Sequence, residues 1–146
     1  MTQLTEHFTL EEMTRSQAAV RLGLNNTPTA ATVARLKKTA VKMELVRSLL
    51  GVAINTLSAY RSTAVNRAIG GALTSQHIKG EAVDFVAPQF GTPHEVAKAI
   101  AASDINFDQL IFEGTWVHVS FSDRPRRSVL TAHFGKGGTS YTSGIA

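Results

Sequence analysis

Two short segments of the sequence carry side chains suited to binding a divalent metal ion. The first, SQHIKGEAVDF over 75–85, contains His77 and Asp84, and the second, WVHVSF over 116–121, contains His118. Two imidazoles and one carboxylate are an accepted ligand set for catalytic zinc, with a fourth position open to water. The chain has no cysteine, so thiolate metal sites, disulfides and cysteine nucleophiles are excluded. Each residue alone has an ordinary structural explanation, and their co-occurrence favours a metal site.

A bend in the chain and two strands must position these three ligands. His77 belongs to a loop, and a bend at Lys79-Gly80 would allow it and Asp84 to point into one cleft. Asp84 lies in an alternating run, 82–86, that predicts a strand. His118 lies in a second strand between two valines, where the pleat fixes the face to which its ring points.

A hairpin places a fourth residue near His118. The strand-like runs on either side of Gly114-Thr115 predict a hairpin with a two-residue loop. In that register Glu113 pairs with Trp116, and Ile111 pairs with His118. All four side chains then share one face of the sheet. Glu113 is therefore the first candidate for a general base beside the metal.

The remaining patterns predict helices followed by short strands, which is typical of the α+β class. A capping box of Thr9 and Glu12 begins the first helix. Helices are predicted over 10–21, 29–50, 62–69 and 92–102, and strands over 82–86, 108–113, 116–121 and 129–134. A strand or an extended segment is predicted over 52–60. The 146 residues are predicted to form one domain, 1–146, with a loosely packed tail from about residue 135.

Charge and hydropathy limit the partners of the chain. The formal net charge of +4 favours polyanions such as nucleic acid, anionic lipid or cell-wall polymer. We interpret Arg35, Lys38 and Lys42 as a solvated helix face, and no basic patch interleaved with aromatic residues predicts nucleic-acid binding. No apolar run reaches about 18 residues, so no membrane insertion is predicted. The first residues, MTQLTEHFTLEEM, lack the apolar stretch of a signal peptide.

Four segments together resemble one known family. SQHIKGEAVDF is similar to the S-x-H-x-x-G-x-A-x-D signature of the zinc metallopeptidases that include the D-Ala-D-Ala carboxypeptidases and L-Ala-D-Glu endopeptidases of peptidoglycan. WVHVSF resembles the second zinc segment of the small single-domain, phage endolysin-like branch. FTLEEMTRSQAA and SAYRS also resemble that branch in order and spacing, so the similarity covers roughly residues 5–135. It implies a hedgehog/D-Ala-D-Ala-peptidase-like fold, with helices packed on a small antiparallel sheet.

The resemblance also implies roles for individual residues. The positions that match the zinc ligands, for one Zn²⁺ per chain, are His77, Asp84 and His118. Arg61 matches the arginine that contacts the substrate carboxylate or carbonyl, and we expect it to act in catalysis as well as binding. Ser75 matches the signature serine near the zinc, where it would contact the zinc ligands or the substrate. Trp116 would line the cleft and pack on the substrate, although a core position explains it nearly as well.

The general base departs from the family pattern. Several relatives carry an acid three residues before the last histidine, where this chain has Thr115. The nearest acid is Glu113, which the hairpin register makes the first candidate for the catalytic carboxylate. Asp108 and Glu81 are the alternatives.

The resemblance implies a zinc-dependent peptidase that hydrolyses an amide bond in the stem peptide or cross-link of peptidoglycan. Its function would be lysis or remodelling of the cell wall, with peptidoglycan stem peptides as partners and a monomer as the active form. An endolysin-like member without a signal peptide would be made in the cytoplasm. It would act in the periplasm or at the cell wall, after release through a holin.

Two other functions stay open. Thr115 favours a catalytically inactive wall-binding or phage structural module that keeps the zinc fold. A nucleic-acid-binding protein driven by charge alone would show affinity that falls steeply with salt and ignores chelators.

Overall fold

The computed structural model describes residues 2–146 and confirms the α+β class. The elements in chain order are α1 (Leu10–Thr14), α2 (Gln17–Leu22), α3 (Ala30–Leu50), β1 (Asn55–Ser58), α4 (Thr63–Ala68), β2 (Ala82–Val86), α5 (Pro93–Ala101), β3 (Gln109–Phe112), β4 (Val117–Ser120), β5 (Ser128–Gly135) and β6 (Gly138–Ser143). Two compact units contain them: unit 1 covers the residues up to Glu44 together with Ser58–Val83, and unit 2 covers Leu45–Leu57 and Asp84–Ala146.

The first helix of unit 1 is shorter than predicted. The capping box of Thr9 and Glu12 begins α1 as expected. Arg15 then adopts an extended conformation, with φ −67° and ψ 131°, and ends the helix. Ser16 caps a second helix by accepting a hydrogen bond from the Ala19 backbone N–H. The single helix predicted over 10–21 was therefore wrong, because Ser16 competes for the backbone as an N-cap.

Helix α3 supports the turn that follows α4. Its apolar stripe is buried as the helical period predicts, through Leu36, Ala40, Met43, Val46 and Leu50. The Thr39 hydroxyl donates a hydrogen bond of 2.6 Å to the carbonyl of Gly80. Gly80 has φ +72°, and a Cβ atom there would lie 3.3 Å from the Leu36 side chain. Only glycine combines a positive φ with so close an approach to Leu36 without strain, so the predicted bend at this position is confirmed.

The strand order of the sheet is β1-β2-β4-β3-β5-β6, and strands β3 to β6 lie wholly in unit 2. Strands β3 and β4 pair antiparallel, with Ile111 opposite His118, as the hairpin predicted. The antiparallel sheet that was predicted is found in the β3–β4 and β5–β6 pairs, but β3 and β5 are parallel, so the sheet is mixed. Strand β4 ends beside Gln109. The chain then crosses to the other side of β3, and β5 begins at Ser128, which is also beside Gln109, so β5 runs in the same direction as β3.

Helix α5 covers one face of this sheet. The ring of His94 packs edge-on against Phe112, with 5.2 Å between the ring centroids. Side-chain alternation puts Leu110, Val117 and Val119 near Phe112, and all three are fully buried. The opposite face therefore carries Ile111 and His118, and α5 leaves that face uncovered.

The end of the chain is more regular than predicted. The residues expected to form a loose tail from about 135 instead form β6, which pairs with β5 from Gly135 to Leu130. Gly138, with φ +111°, allows the tight turn between the two strands. Strand β1 is shorter than the predicted run over 52–60. Among residues 2–146, no helix has the length and apolar character needed to cross a membrane. The prediction of one domain stays a prediction.

We expect the Glu44→Gln substitution to destabilise the protein in a pH-dependent way. Burial opposes ionisation of Glu44, but hydrogen bonds from Thr5 and His7 outweigh it and hold the pKa of Glu44 below its usual value. A carboxyl group whose pKa is lower in the folded than in the unfolded protein stabilises the fold at pH values above the unfolded-state pKa. That stabilisation is lost as the pH falls through the folded-state pKa. Urea unfolding should show a loss of about 1 kcal/mol at neutral pH that shrinks toward about pH 3.

The matched control for this measurement is Glu6→Gln. The Glu6 side chain is 84% exposed and lies 3.9 Å from His7, so its removal should change stability little. A loss of unfolding free energy in Glu44→Gln that is the same at neutral pH and near pH 3 would contradict the assigned role of the carboxylate.

Candidate metal centre

A backbone carbonyl fixes the orientation of the His77 ring. His77 is 2% exposed and lies in the turn that ends at Gly80. Its Nδ1 lies 2.6 Å from the carbonyl oxygen of Ala59. A carbonyl only accepts, so Nδ1 must carry the proton, and the neutral ring then presents its lone pair at Nε2. This is the form in which a histidine with a backbone partner binds metal.

Two of the residues predicted to bind substrate, Arg61 and Ser75, lie next to His77 in unit 1. The Arg61 backbone N–H donates to the His77 carbonyl at 3.1 Å. The His77 backbone N–H donates to the Ser75 hydroxyl at 3.2 Å. Both side chains are half-buried. Their predicted contacts with substrate stay predictions, but both residues help to fix the His77 turn.

Asp84 and His118 approach each other in unit 2. They lie on β2 and β4, which are neighbours in the sheet. The carboxylate Oδ1 and the imidazole Nδ1 are 2.9 Å apart, and only 13% and 11% of the respective side chains are exposed. Two such groups on rigid strands lose little conformational freedom when they bind an ion.

His77, Asp84 and His118 form a group that could hold a metal ion. One ligand atom from each lies within 4.8 Å of the other two. Zinc bonds of about 2.0–2.2 Å to nitrogen and oxygen put tetrahedral ligand atoms roughly 3.3–3.5 Å apart. The donor types, two nitrogens and one carboxylate oxygen, also suit zinc with an open fourth position.

The β3–β4 hairpin has the predicted register. The Glu113 backbone N–H donates to the Trp116 carbonyl at 3.0 Å, and Gly114 between them has φ +81°. Glu113 is two residues from Ile111, and Trp116 is two residues from His118, so all four belong to the face that α5 leaves uncovered. Trp116 is half-buried. The roles of Glu113 as base and Trp116 as cleft wall stay predictions.

Asp108, one alternative base, has a structural role. Its carboxylate accepts hydrogen bonds from the Arg126 guanidinium at 2.9 and 2.8 Å and from the Arg126 backbone N–H at 3.0 Å. These hydrogen bonds raise the pKa of Arg126 above its usual value. Asp108 is 3% exposed. It therefore holds the segment before β5 against the start of β3.

Glu81, the other alternative, also has defined partners. Gln76 donates to its carboxylate at 3.3 Å, and the Arg35 guanidinium lies 3.9 Å away. Arg35 is thus half-buried beside an acid rather than part of the solvated face predicted for it with Lys38 and Lys42. The two lysines are exposed, as predicted.

Two contacts at the site had no signal in the sequence. Ala59 contributes only its backbone carbonyl to His77, and any residue type supplies that group. The link from Arg126 to Asp108 joins residues 18 positions apart, and no local spacing predicts it.

We expect the purified chain to bind about one zinc ion, as a three-ligand site predicts. His118→Ala should abolish this binding, and Asp84→Asn should weaken it strongly, because each removes one of three ligands. Elemental analysis after dialysis measures the metal content. His133→Ala is the matched control, since it removes an exposed strand histidine that contacts Thr142. Equal zinc in the His118→Ala and wild-type proteins would exclude this site.

Comparison with known proteins supports the assignment of the family. A family model for Peptidase M15 matches residues 6–120, which include every predicted site residue. A search of curated proteins finds no match. The resemblance to zinc metallopeptidases of the D-Ala-D-Ala carboxypeptidase type is thereby confirmed, and its phage endolysin-like detail stays a prediction. The chain belongs to the peptidase M15 family of metallopeptidases.

Proposed function

We propose that this chain is a zinc-dependent peptidase that hydrolyses an amide bond in the stem peptide or cross-link of peptidoglycan. The observation that carries the proposal is the group of His77, Asp84 and His118, in a chain of the M15 family. Zinc bound by these residues supplies Lewis-acid chemistry, since it polarises a carbonyl and lowers the pKa of water.

Glu113 acts as the general base in this proposal. It lies at the end of β3, on the sheet face of His118. Its carboxylate accepts a proton from the attacking water and passes it to the leaving amine. A positioned carboxylate of this kind contributes about 10²–10⁴-fold to the rate. Asp108 is less suited to this task because Arg126 occupies both of its oxygens.

Arg61, Ser75 and Trp116 bind and orient the substrate. The planar guanidinium of Arg61 suits a stem-peptide carboxylate, and it also suits the oxyanion that forms as the amide is attacked. Ser75 contacts the substrate or supports the His77 turn. Trp116 provides a flat apolar wall beside Glu113. The net charge of +4 favours adsorption to an anionic cell wall.

We further propose an endolysin-like role in lysis or remodelling of the cell wall. On this view the protein is made in the cytoplasm, leaves through a holin and acts as a monomer at the wall. The second candidate is an inactive wall-binding or phage structural module, which the presence of Thr115 in place of an acid favours. That module would bind zinc and peptidoglycan without turnover.

Digestion of purified peptidoglycan should release fragments cut at an amide bond of the stem or cross-link. Mass spectrometry of the fragments separates a D-Ala-D-Ala carboxypeptidase, which removes one terminal residue, from an endopeptidase, which divides the stem. A chelator should stop the release, and added zinc should restore it. Intact peptidoglycan after incubation with the zinc-loaded protein would support the inactive module instead.

Glu113→Gln should keep zinc and fold but lower kcat by about 10²–10⁴-fold, because the amide cannot accept the proton. Asp108→Asn is the matched control for a lost carboxylate. It should leave kcat nearly unchanged and cost about 1 kcal/mol of stability, since it weakens the pairing of a buried carboxylate with a guanidinium that is 61% exposed. Glu81→Gln tests Glu81, the other alternative for the general base, in the same way. Wild-type kcat in Glu113→Gln would remove Glu113 from the mechanism.

A further inference from the structure

Strands β5 and β6 extend the sheet beyond the part of the chain that matches the family. The match ends at residue 120, and β5 begins at Ser128. Strand β5 pairs with β3, and β6 pairs with β5. The same sheet that carries His118 therefore continues into a hairpin that lies outside the matched residues.

The strand register places aromatic side chains of this hairpin on the face of His118. Ile111, opposite His118, pairs with Leu130 of β5. Phe134 lies four residues beyond Leu130 and so faces the same way. Tyr141 is opposite Ala132, which also lies on this face.

Contacts connect these aromatic rings to the turn that holds Glu113. The rings of Trp116 and Phe134 are tilted by 42°, with 6.4 Å between their centroids. A Cβ atom at Gly114 would lie 3.6 Å from the Phe134 ring, so that ring sits over the β3–β4 turn. Burial raises the pKa of Tyr141, and the charge of Glu113 raises it further. The Tyr141 hydroxyl therefore lies in the same neighbourhood as the Glu113 carboxylate.

The exposure and chemistry of the face indicate its ligand. Phe134 is 59% exposed and Tyr141 is 51% exposed, so both rings offer apolar surface on this face of the hairpin. The other polar groups of β6 on this face are the exposed hydroxyls of Thr139 and Ser143. Flat apolar rings among neutral hydroxyls suit a sugar, whose C–H groups stack on the rings while its hydroxyl and amide groups form hydrogen bonds. A stem-peptide carboxylate would instead require a cation.

We propose that Trp116, Phe134 and Tyr141 form an aromatic platform that binds the N-acetylhexosamine strand of peptidoglycan beside Glu113. This inference rests on the proposed function and deepens it. The platform would hold the glycan strand at the sheet edge while the attached stem peptide extends toward Glu113 and His118. It would make the enzyme prefer stems still joined to sugar over free peptides.

The test uses the one tryptophan of the chain as its reporter. Since Trp116 belongs to the platform, the tetramer of N-acetylglucosamine should change its fluorescence on titration. The double substitution Phe134→Ala with Tyr141→Ala should weaken this binding by roughly tenfold or more. Phe134→Tyr with Tyr141→Phe keeps both rings and should retain it. Val20→Ala is a matched control, because it removes an apolar side chain that is 85% exposed on α2.

Sugar binding is measured without hydrolysis, so the result is independent of whether the chain is a peptidase. Equal affinity in the double-alanine and wild-type proteins would overturn the platform, as would the absence of tetramer binding. A free stem peptide bound at the same rings in place of the sugar would overturn the assigned ligand. In an active enzyme, the double-alanine protein should show a raised KM for sugar-linked stems and an unchanged KM for free stems.

Discussion

The hydrogen bond between His77 Nδ1 and the Ala59 carbonyl is the constraint on which the candidate site depends. A histidine ligand must present one nitrogen lone pair in a fixed direction, and the other ring nitrogen decides which one. At 2.6 Å, this bond fixes both the tautomer and the ring orientation. Without it, the ring of His77 could rotate, and its ligand atom would not be held within 4.8 Å of those of Asp84 and His118.

Several features of the fold serve to hold this turn in place. Gly80 reverses the chain with positive φ and packs closely on Leu36, and Thr39 binds its carbonyl. Asp84 and His118 need no such turn, because adjacent strands bring them together through sheet register. The site thus combines one ligand on a tightly packed loop with two on rigid strands. Such preorganisation lowers the entropic cost of binding an ion.

The parts of the fold that depend on neighbouring residues could be predicted from the sequence. The capping box of Thr9 and Glu12, the apolar stripe of α3 and the register that sets Ile111 opposite His118 all follow from spacings of a few residues. The parallel pairing of β5 could not be predicted, since it depends on a link that crosses the end of β3. Strand β6 was missed because all its residues except Tyr141 are small or polar and all are exposed, so its alternation carries little hydrophobic signal.

The candidate site, like the fold, could be predicted from the sequence only in part. The ligand residues could be found because histidine and aspartate in two short segments carry a chemical signal. The Ala59 carbonyl could not, because a backbone group has no sequence signature. The engagement of Asp108 by Arg126 was also beyond prediction, because it joins two distant parts of the chain. Burial and pairing, which decide what a carboxylate can do, arise only in the folded chain.

The most direct test of the metal centre is a crystal structure of the zinc-soaked protein with anomalous diffraction data at the zinc edge. The expected result is one anomalous peak at about 2.0–2.2 Å from ligand atoms of His77, Asp84 and His118. His77 should bind through Nε2, with its Nδ1 still bonded to Ala59. A peak elsewhere in the molecule, or zinc bound to His77 through Nδ1, would contradict the account.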